Sequence, residues 1–76
     1  MNVDRLIDMA NDIGNFFGAD PDRQAGIDGV ANHLRKFWEP RMRRQLIEHV
    51  RAHGAEGLSE VARAAVEKLA AGQAAA

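Results

Sequence analysis

Apolar residues recur along this chain at three- and four-residue steps, in four stretches separated by short breaks of Gly, Pro and polar residues. Steps of that length gather side chains on one stripe of an α-helix. Val3, Leu6, Ile7, Ala10, Ile13 and Phe17 form the first stripe, with Asp4, Asp8 and Asp12 along the opposite side. Gly18-Ala19-Asp20-Pro21 ends this helix and starts the next, with Asp20 predicted as N-cap and Pro21 in the first turn, where its missing N–H has no partner to lose. Ile27, Val30, Ala31, Leu34, Phe37 and Trp38 make the second stripe. Gly26 and Gly29 stand beside it. Each costs up to about 1 kcal/mol relative to Ala in a helix, and their bare backbone would let another helix approach closely.

Glu39-Pro40 cuts the pattern in its middle. A residue before proline is pushed out of the α region, whereas proline fits the first turn of a helix. One helix is therefore predicted to stop near Trp38 and another to begin at Pro40, with almost no loop between them. The third helix runs to about His53 and is closed by Gly54, with Met42, Leu46, Ile47 and Val50 in its apolar arc. Gly57-Leu58-Ser59 leads into a fourth, with Ser59 as N-cap and Val61, Ala65, Val66 and Leu69 on its stripe. No strand alternation and no internal repeat is visible. The expected fold is all-α, a compact bundle of three to four short amphipathic helices. It forms a single domain over residues 1–72, and residues 73–76 are expected to be a disordered Ala-rich tail.

Size and composition narrow the function. A chain of 76 residues buries only ~60% of the surface it exposes when unfolded, and small domains of this kind often lean on a partner. There are no cysteines, so disulfides and Cys-based zinc sites are excluded, which fits a reducing compartment. The start of the chain has no basic segment followed by an apolar run, so no secretory signal is expected. No apolar run approaches the ~20 residues needed to span a bilayer. These features predict a soluble, cytoplasmic protein with no membrane association.

The formal net charge of −1 hides an asymmetry. Up to Asp28 the chain has Asp4, Asp8, Asp12, Asp20, Asp22 and Asp28 against Arg5 and Arg23. From His33 to His53 it has Arg35, Lys36, Arg41, Arg43, Arg44 and Arg51 against Glu39 and Glu48. Such polarity can orient a small domain on a charged partner or on a second copy of itself.

The corner from Phe37 to Arg44 is the strongest candidate for a binding surface. It holds the single Trp and a cluster of arginines. Arg41, Arg43 and Arg44 fall in the first turn of the third helix, where the macrodipole disfavours cations by ~0.3–1 kcal/mol each. A pair such as Arg41 and Arg43 can grip a carboxylate or phosphate, and Arg44 and Arg51 can pair with Glu48 along the helix. Phe37 is expected in the core, while Trp38 fits the core and an interface equally well. Met42 and Glu39 belong to the same corner. Met9 and Phe16, seven residues apart at the margin of the first stripe, are either the edge of the core or a contact for another chain.

Catalytic and metal chemistry find little support. His49 and His53 have i,i+4 spacing, but Glu48 precedes the first His where a zinc-protease motif needs the Glu to follow it. Ser59 is used as a cap, and there is no Thr, Tyr or Cys. No catalytic, cofactor-binding or metal-binding residue is assigned. Nucleic acid is disfavoured by the acidic balance and by Asp4, Asp8 and Asp12, which would repel phosphates.

Three strings also carry a family resemblance. Ile7-Asp8-Met9-Ala10-Asn11-Asp12-Ile13-Gly14-Asn15-Phe16-Phe17, His33-Leu34-Arg35-Lys36-Phe37-Trp38-Glu39-Pro40-Arg41-Met42-Arg43 and Gly54-Ala55-Glu56-Gly57-Leu58 resemble the delta subunit of the bacterial NAD-dependent, molybdenum-containing formate dehydrogenase. The likeness extends from about Leu6 to Leu69. It implies a small accessory subunit of a cytoplasmic complex whose larger subunits carry a bis-molybdopterin guanine dinucleotide centre, iron–sulfur clusters and FMN. The delta subunit itself is implied to hold no redox cofactor. Its implied role is assembly, cofactor maturation or stabilisation, through the catalytic alpha subunit or a sulfuration chaperone. The residues Phe37, Trp38, Glu39, Arg41, Met42 and Arg43 match the family string. An alternative on the residues alone is a small anion- or nucleotide-binding module built on Arg41, Arg43 and Arg44. Self-association of the free chain is a further expectation.

Overall fold

The computed structural model describes residues 2–75, with side chains through Gly72. Four helices follow in order: α1 (Val3–Phe17), α2 (Arg23–Phe37), α3 (Pro40–His53) and α4 (Glu60–Ala75). Among the described residues there is no strand. The all-α bundle predicted from periodicity is the observed fold. The predicted tail falls on residues 73–76, of which Ala76 lies outside the described residues while α4 extends to Ala75.

Each helix begins where a side chain or proline can satisfy its first turn. Asn2 caps α1, its Oδ1 accepting the Asp4 N–H at 2.7 Å. The cap of α2 is Asp22, not the predicted Asp20. Asp22 accepts the N–H groups of Gln24 and Ala25 at 3.0 and 3.4 Å, whereas Asp20 accepts the Asp22 N–H at 2.8 Å and so shapes the turn ahead of the helix. Both aspartates carry the same capping chemistry, and only the course of the chain decides which of them stands at the helix end. Glu39 precedes α3 without a side-chain cap, with Pro40 at its start. Ser59 Oγ accepts the Ala62 N–H at 3.3 Å and caps α4 as expected. Gly54, at φ 90°, ends α3 in a conformation that L side chains rarely adopt.

The buried stripes meet in one core. Leu6 and Ala10 from α1, Ile27, Val30, Ala31 and Leu34 from α2, Leu46 and Ile47 from α3, and Ala62, Ala65, Val66 and Leu69 from α4 all lie within it. α2 is the central element, packed most extensively on α4 and α1. The α1–α2 contact depends on glycine. A Cβ at Gly29 would stand 2.4 Å from the Phe17 ring, and one at Gly26 would stand 2.8 Å from the Phe17 carbonyl oxygen. The close approach expected beside Gly26 and Gly29 is therefore present, and Phe17 is what makes it.

Cross-helix polar contacts complete the assembly. Lys68 on α4 donates to Asp28 on α2, and Arg23 pairs with Glu60 at 2.7 Å. Asn11 on α1 clamps the α3–α4 connection from both sides of its amide. Its Nδ2 donates to the Gly57 carbonyl at 2.8 Å, and its Oδ1 accepts the Ser59 N–H at 2.8 Å. The predicted pairing of Arg44 and Arg51 with Glu48 is absent among the described residues. Arg51 Nη2 donates instead to the Ala70 carbonyl at 3.3 Å, joining α3 to the last turns of α4.

Candidate docking surface

The α2–α3 corner has the predicted backbone. α2 ends at Phe37, Trp38 and Glu39 are extended, and α3 starts at Pro40. Of the two aromatic side chains, Trp38 takes the core, one of its two open readings, while Phe37 leaves the core expected of it. Trp38 is 6% exposed and belongs to the core, whereas Phe37 is 72% exposed. The reason is geometric. Phe37 continues the i,i+4 line Gly29–His33–Phe37, which lies at the edge of the buried row of Ile27, Val30 and Leu34. Trp38 is the first residue past the helix, and its extended backbone returns the indole over the core. A surface anchored on the indole of Trp38 is therefore not what this corner presents.

Arg43 also turns inward. Its Nη1 donates to the carbonyl oxygens of Leu34 at 3.2 Å, Arg35 at 3.1 Å and Trp38 at 2.5 Å. They lie at the C-terminus of α2, where the helix dipole is negative; the Leu34 carbonyl also accepts the Trp38 N–H at 3.1 Å. The apparent penalty of a cation at the start of α3 is thus offset by its placement at the end of α2. Directed at these carbonyls, the guanidinium of Arg43 is withdrawn from the predicted anion-gripping pair. Arg41 and Arg44 stay exposed and have no ion-pair partner among the described residues. Met42 is half-buried against the core, as is Met9. Glu39 is exposed.

The exposed apolar surface lies one face away. Phe16 is 74% exposed, and its ring meets Phe17 edge-on with centroids 5.0 Å apart. Phe17 stands 6.2 Å from His33, and His33 stands 4.8 Å from Phe37. A continuous aromatic row thus crosses from the end of α1 to the end of α2. Beside it an open groove of about 270 Å³ is lined by Asp12, Ile13, Phe16, Phe17 and His33. Among the described residues Phe16 and Phe37 are the large apolar side chains that stand out into solvent. They come from two separate sequence features, and only the hairpin of α1 and α2 unites them. His33 and Phe17 were not assigned to a surface from sequence; the four-residue steps Gly29–His33–Phe37 could have indicated the line that His33 shares with Phe37, whereas nothing in the spacing connects Phe17 to it.

The remaining candidates give no chemical centre. The rings of His49 and His53 lie 5.1 Å apart on α3. Among the described residues no group of three or more His, Cys, Asp or Glu is placed to hold a metal ion, and no helix is long and apolar enough to cross a membrane.

Fold and surface together define a class: a small all-α domain with a glycine-tightened helical hairpin and an exposed aromatic face. Residues 5–66 match the family model described as the NADH-dependent formate dehydrogenase delta subunit, FdsD, and the chain belongs to that family. Membership makes it a delta subunit of a formate dehydrogenase complex, in partnership with the complex's other subunits. No curated protein and no solved structure matches the chain.

Proposed function

We propose that this chain is a non-catalytic accessory subunit that docks on the catalytic alpha subunit of the cytoplasmic formate dehydrogenase, or on its sulfuration chaperone, and supports assembly, cofactor maturation or stability of the complex. The observation that carries this reading is the aromatic row from Phe16 to Phe37, with both terminal rings about three-quarters exposed. Exposed aromatic side chains set in a small rigid scaffold are typical of binding hot spots, and burying one yields ~1.5–3 kcal/mol from its apolar area alone. Family membership supplies the complex in which such a surface would find its partner.

The test is co-purification. Tagged wild-type chain and a Phe16→Ser, Phe37→Ser variant are expressed in the native host, and the large subunits and formate oxidation are followed in the eluates. The wild type is expected to recover the alpha subunit or the chaperone. The variant, folded by circular dichroism, is expected to lose it. Retained recovery by the variant would remove the aromatic row as the docking surface. Activity in the wild-type eluate points to a resident subunit, and recovery of an inactive alpha subunit or of the chaperone alone points to assembly.

The rival reading, a small-anion or nucleotide module, rests on Arg41 and Arg44 once Arg43 is directed at the α2 carbonyls. Calorimetry with inorganic phosphate and with a nucleotide tests it, and the absence of heat at millimolar ligand rejects it.

A further inference from the structure

We propose that the groove beside the aromatic row receives an amphipathic helix of a partner polypeptide, with lysines or arginines along one flank of its apolar stripe. This rests on the docking reading above and adds the chemistry of the occupant.

The first argument concerns shape. The chain offers no strand edge among its described residues, so an extended peptide has no unpaired backbone ladder to join. A groove between two packed helices accepts a third helix, whose residues at i, i+3 or i+4 and i+7 enter it in turn. The α1–α2 groove is apolar at Ile13, Phe16 and Phe17, and Phe37 extends that lining beyond His33.

The second argument concerns charge. Asp4, Asp8, Asp12 and Phe16 stand at four-residue steps on α1, a single line that ends on the exposed ring. The three aspartates are exposed and have no ion-pair partner among the described residues. Asp12 also lines the groove itself. Arg5 is the one basic residue of α1, and Lys36 stands on α2 beside Phe37. The α1 flank is therefore acidic, and it complements a basic flank on the incoming helix.

The third argument excludes the chain's own basic helix as the occupant. α3 carries Arg41, Arg44 and Arg51, but its apolar residues Leu46 and Ile47 are 1% and 2% exposed in the core. A second copy cannot offer that stripe without unfolding, so the helix belongs to another polypeptide.

The experiment places a photoreactive benzoylphenylalanine at position 37 of the full chain and mixes it with the large formate dehydrogenase subunits prepared without this chain. Mass spectrometry then reads the crosslinked peptide. A segment with apolar residues at helical spacing and Lys or Arg on one flank is the expected result. A crosslink to an acidic or strand-forming segment, or to a second copy of this chain, would overturn the proposal. Affinity is measured in parallel for Asp8→Lys, Asp12→Lys and for Phe16→Ser, Phe37→Ser, with folding followed by circular dichroism. The charge reversal is expected to weaken binding at least about tenfold at low salt, with the difference shrinking as salt rises. Unchanged affinity of the charge variant beside a failing phenylalanine variant overturns the basic helix and leaves the docking face standing. Unchanged affinity of both variants removes the docking face itself.

Discussion

Nη1 of Arg43, in the first turn of α3, lies 2.5 Å from the carbonyl oxygen of Trp38, the residue that closes α2. One side chain thereby joins two helices across a two-residue connection. It does so by placing a fixed positive charge among three carbonyls at the negative end of α2, of which the Leu34 carbonyl also accepts the Trp38 N–H. Charged hydrogen bonds of this kind are individually strong, but a single nitrogen shared among three acceptors does not triple the effect. Arg43→Ala is expected to lower stability by about 1–3 kcal/mol. Arg41→Ala, at an exposed position nearby, should stay within about 0.5 kcal/mol of wild type. Urea unfolding of the two variants decides the matter, and equal losses would reject the role given to Arg43.

Gly29 and Gly72 should respond to alanine with opposite signs. Both lie in helices, where Ala is favoured over Gly by up to about 1 kcal/mol. At Gly29 the new methyl would stand 2.4 Å from the Phe17 ring, whereas at Gly72 nothing lies within 4 Å. Overpacking typically costs about 1–3 kcal/mol, so Gly29→Ala is expected to destabilise despite the gain in propensity. Gly72→Ala should be neutral or stabilising. Thermal unfolding of the pair measures the contrast, and a stabilised Gly29→Ala would mean that the Phe17 ring relaxes without loss.

Asn11 is predicted to govern the α3–α4 connection from a distance in sequence. Asn11→Ala removes both the acceptor for the Ser59 N–H and the donor to the Gly57 carbonyl. A loss of about 1–3 kcal/mol is expected. Hydrogen exchange at Ser59 should quicken more than exchange in the middle of α2. Unchanged protection at Ser59 would show that the loop holds its shape without the clamp.

The Asp28–Lys68 link predicts a pH dependence with a definite sign. The hydrogen bond from Lys68, assisted by one from Gln24, holds the Asp28 carboxyl below its usual value of about 3.8, against the opposing effect of desolvation. A carboxylate with a lowered folded pKa stabilises the fold fully above its unfolded value. That contribution disappears as pH falls from about 3.8 through the lower folded value. Asp28→Asn should therefore be less stable than wild type near pH 6 and converge with it in acid. Urea midpoints across that range test the prediction, and a gap independent of pH would assign the loss to packing instead.

Sequence and structure agree where the governing interactions are short-range. The end of α1 at Phe17, the start of α3 at Pro40, its closure by Gly54 and the Ser59 cap all depend on residues within a turn of one another. The displaced cap of α2 marks the limit of that logic, because Asp20 and Asp22 are equivalent by residue type and differ only in where the chain has turned. Phe37 and Trp38 show the same limit at the core. Both continue an apolar stripe, and which of the two is buried depends on the direction in which the chain leaves α2.

The all-α class, helix order, the capping chemistry and the acidic and basic halves of the chain are consequences of composition and spacing, because backbone conformation responds chiefly to near neighbours. The joining of Phe16 to Phe37, the capping of α2 by an arginine of α3 and the reach of Asn11 to Ser59 arise only when helices pack. Each of these arrangements links positions that no periodicity connects, the first of them through Phe17 and His33. Close packing at Gly26 and Gly29 sets the approach of α1 and α2 and with it the aromatic row, while the other two follow from how α3 meets α2 and how the start of α4 meets α1.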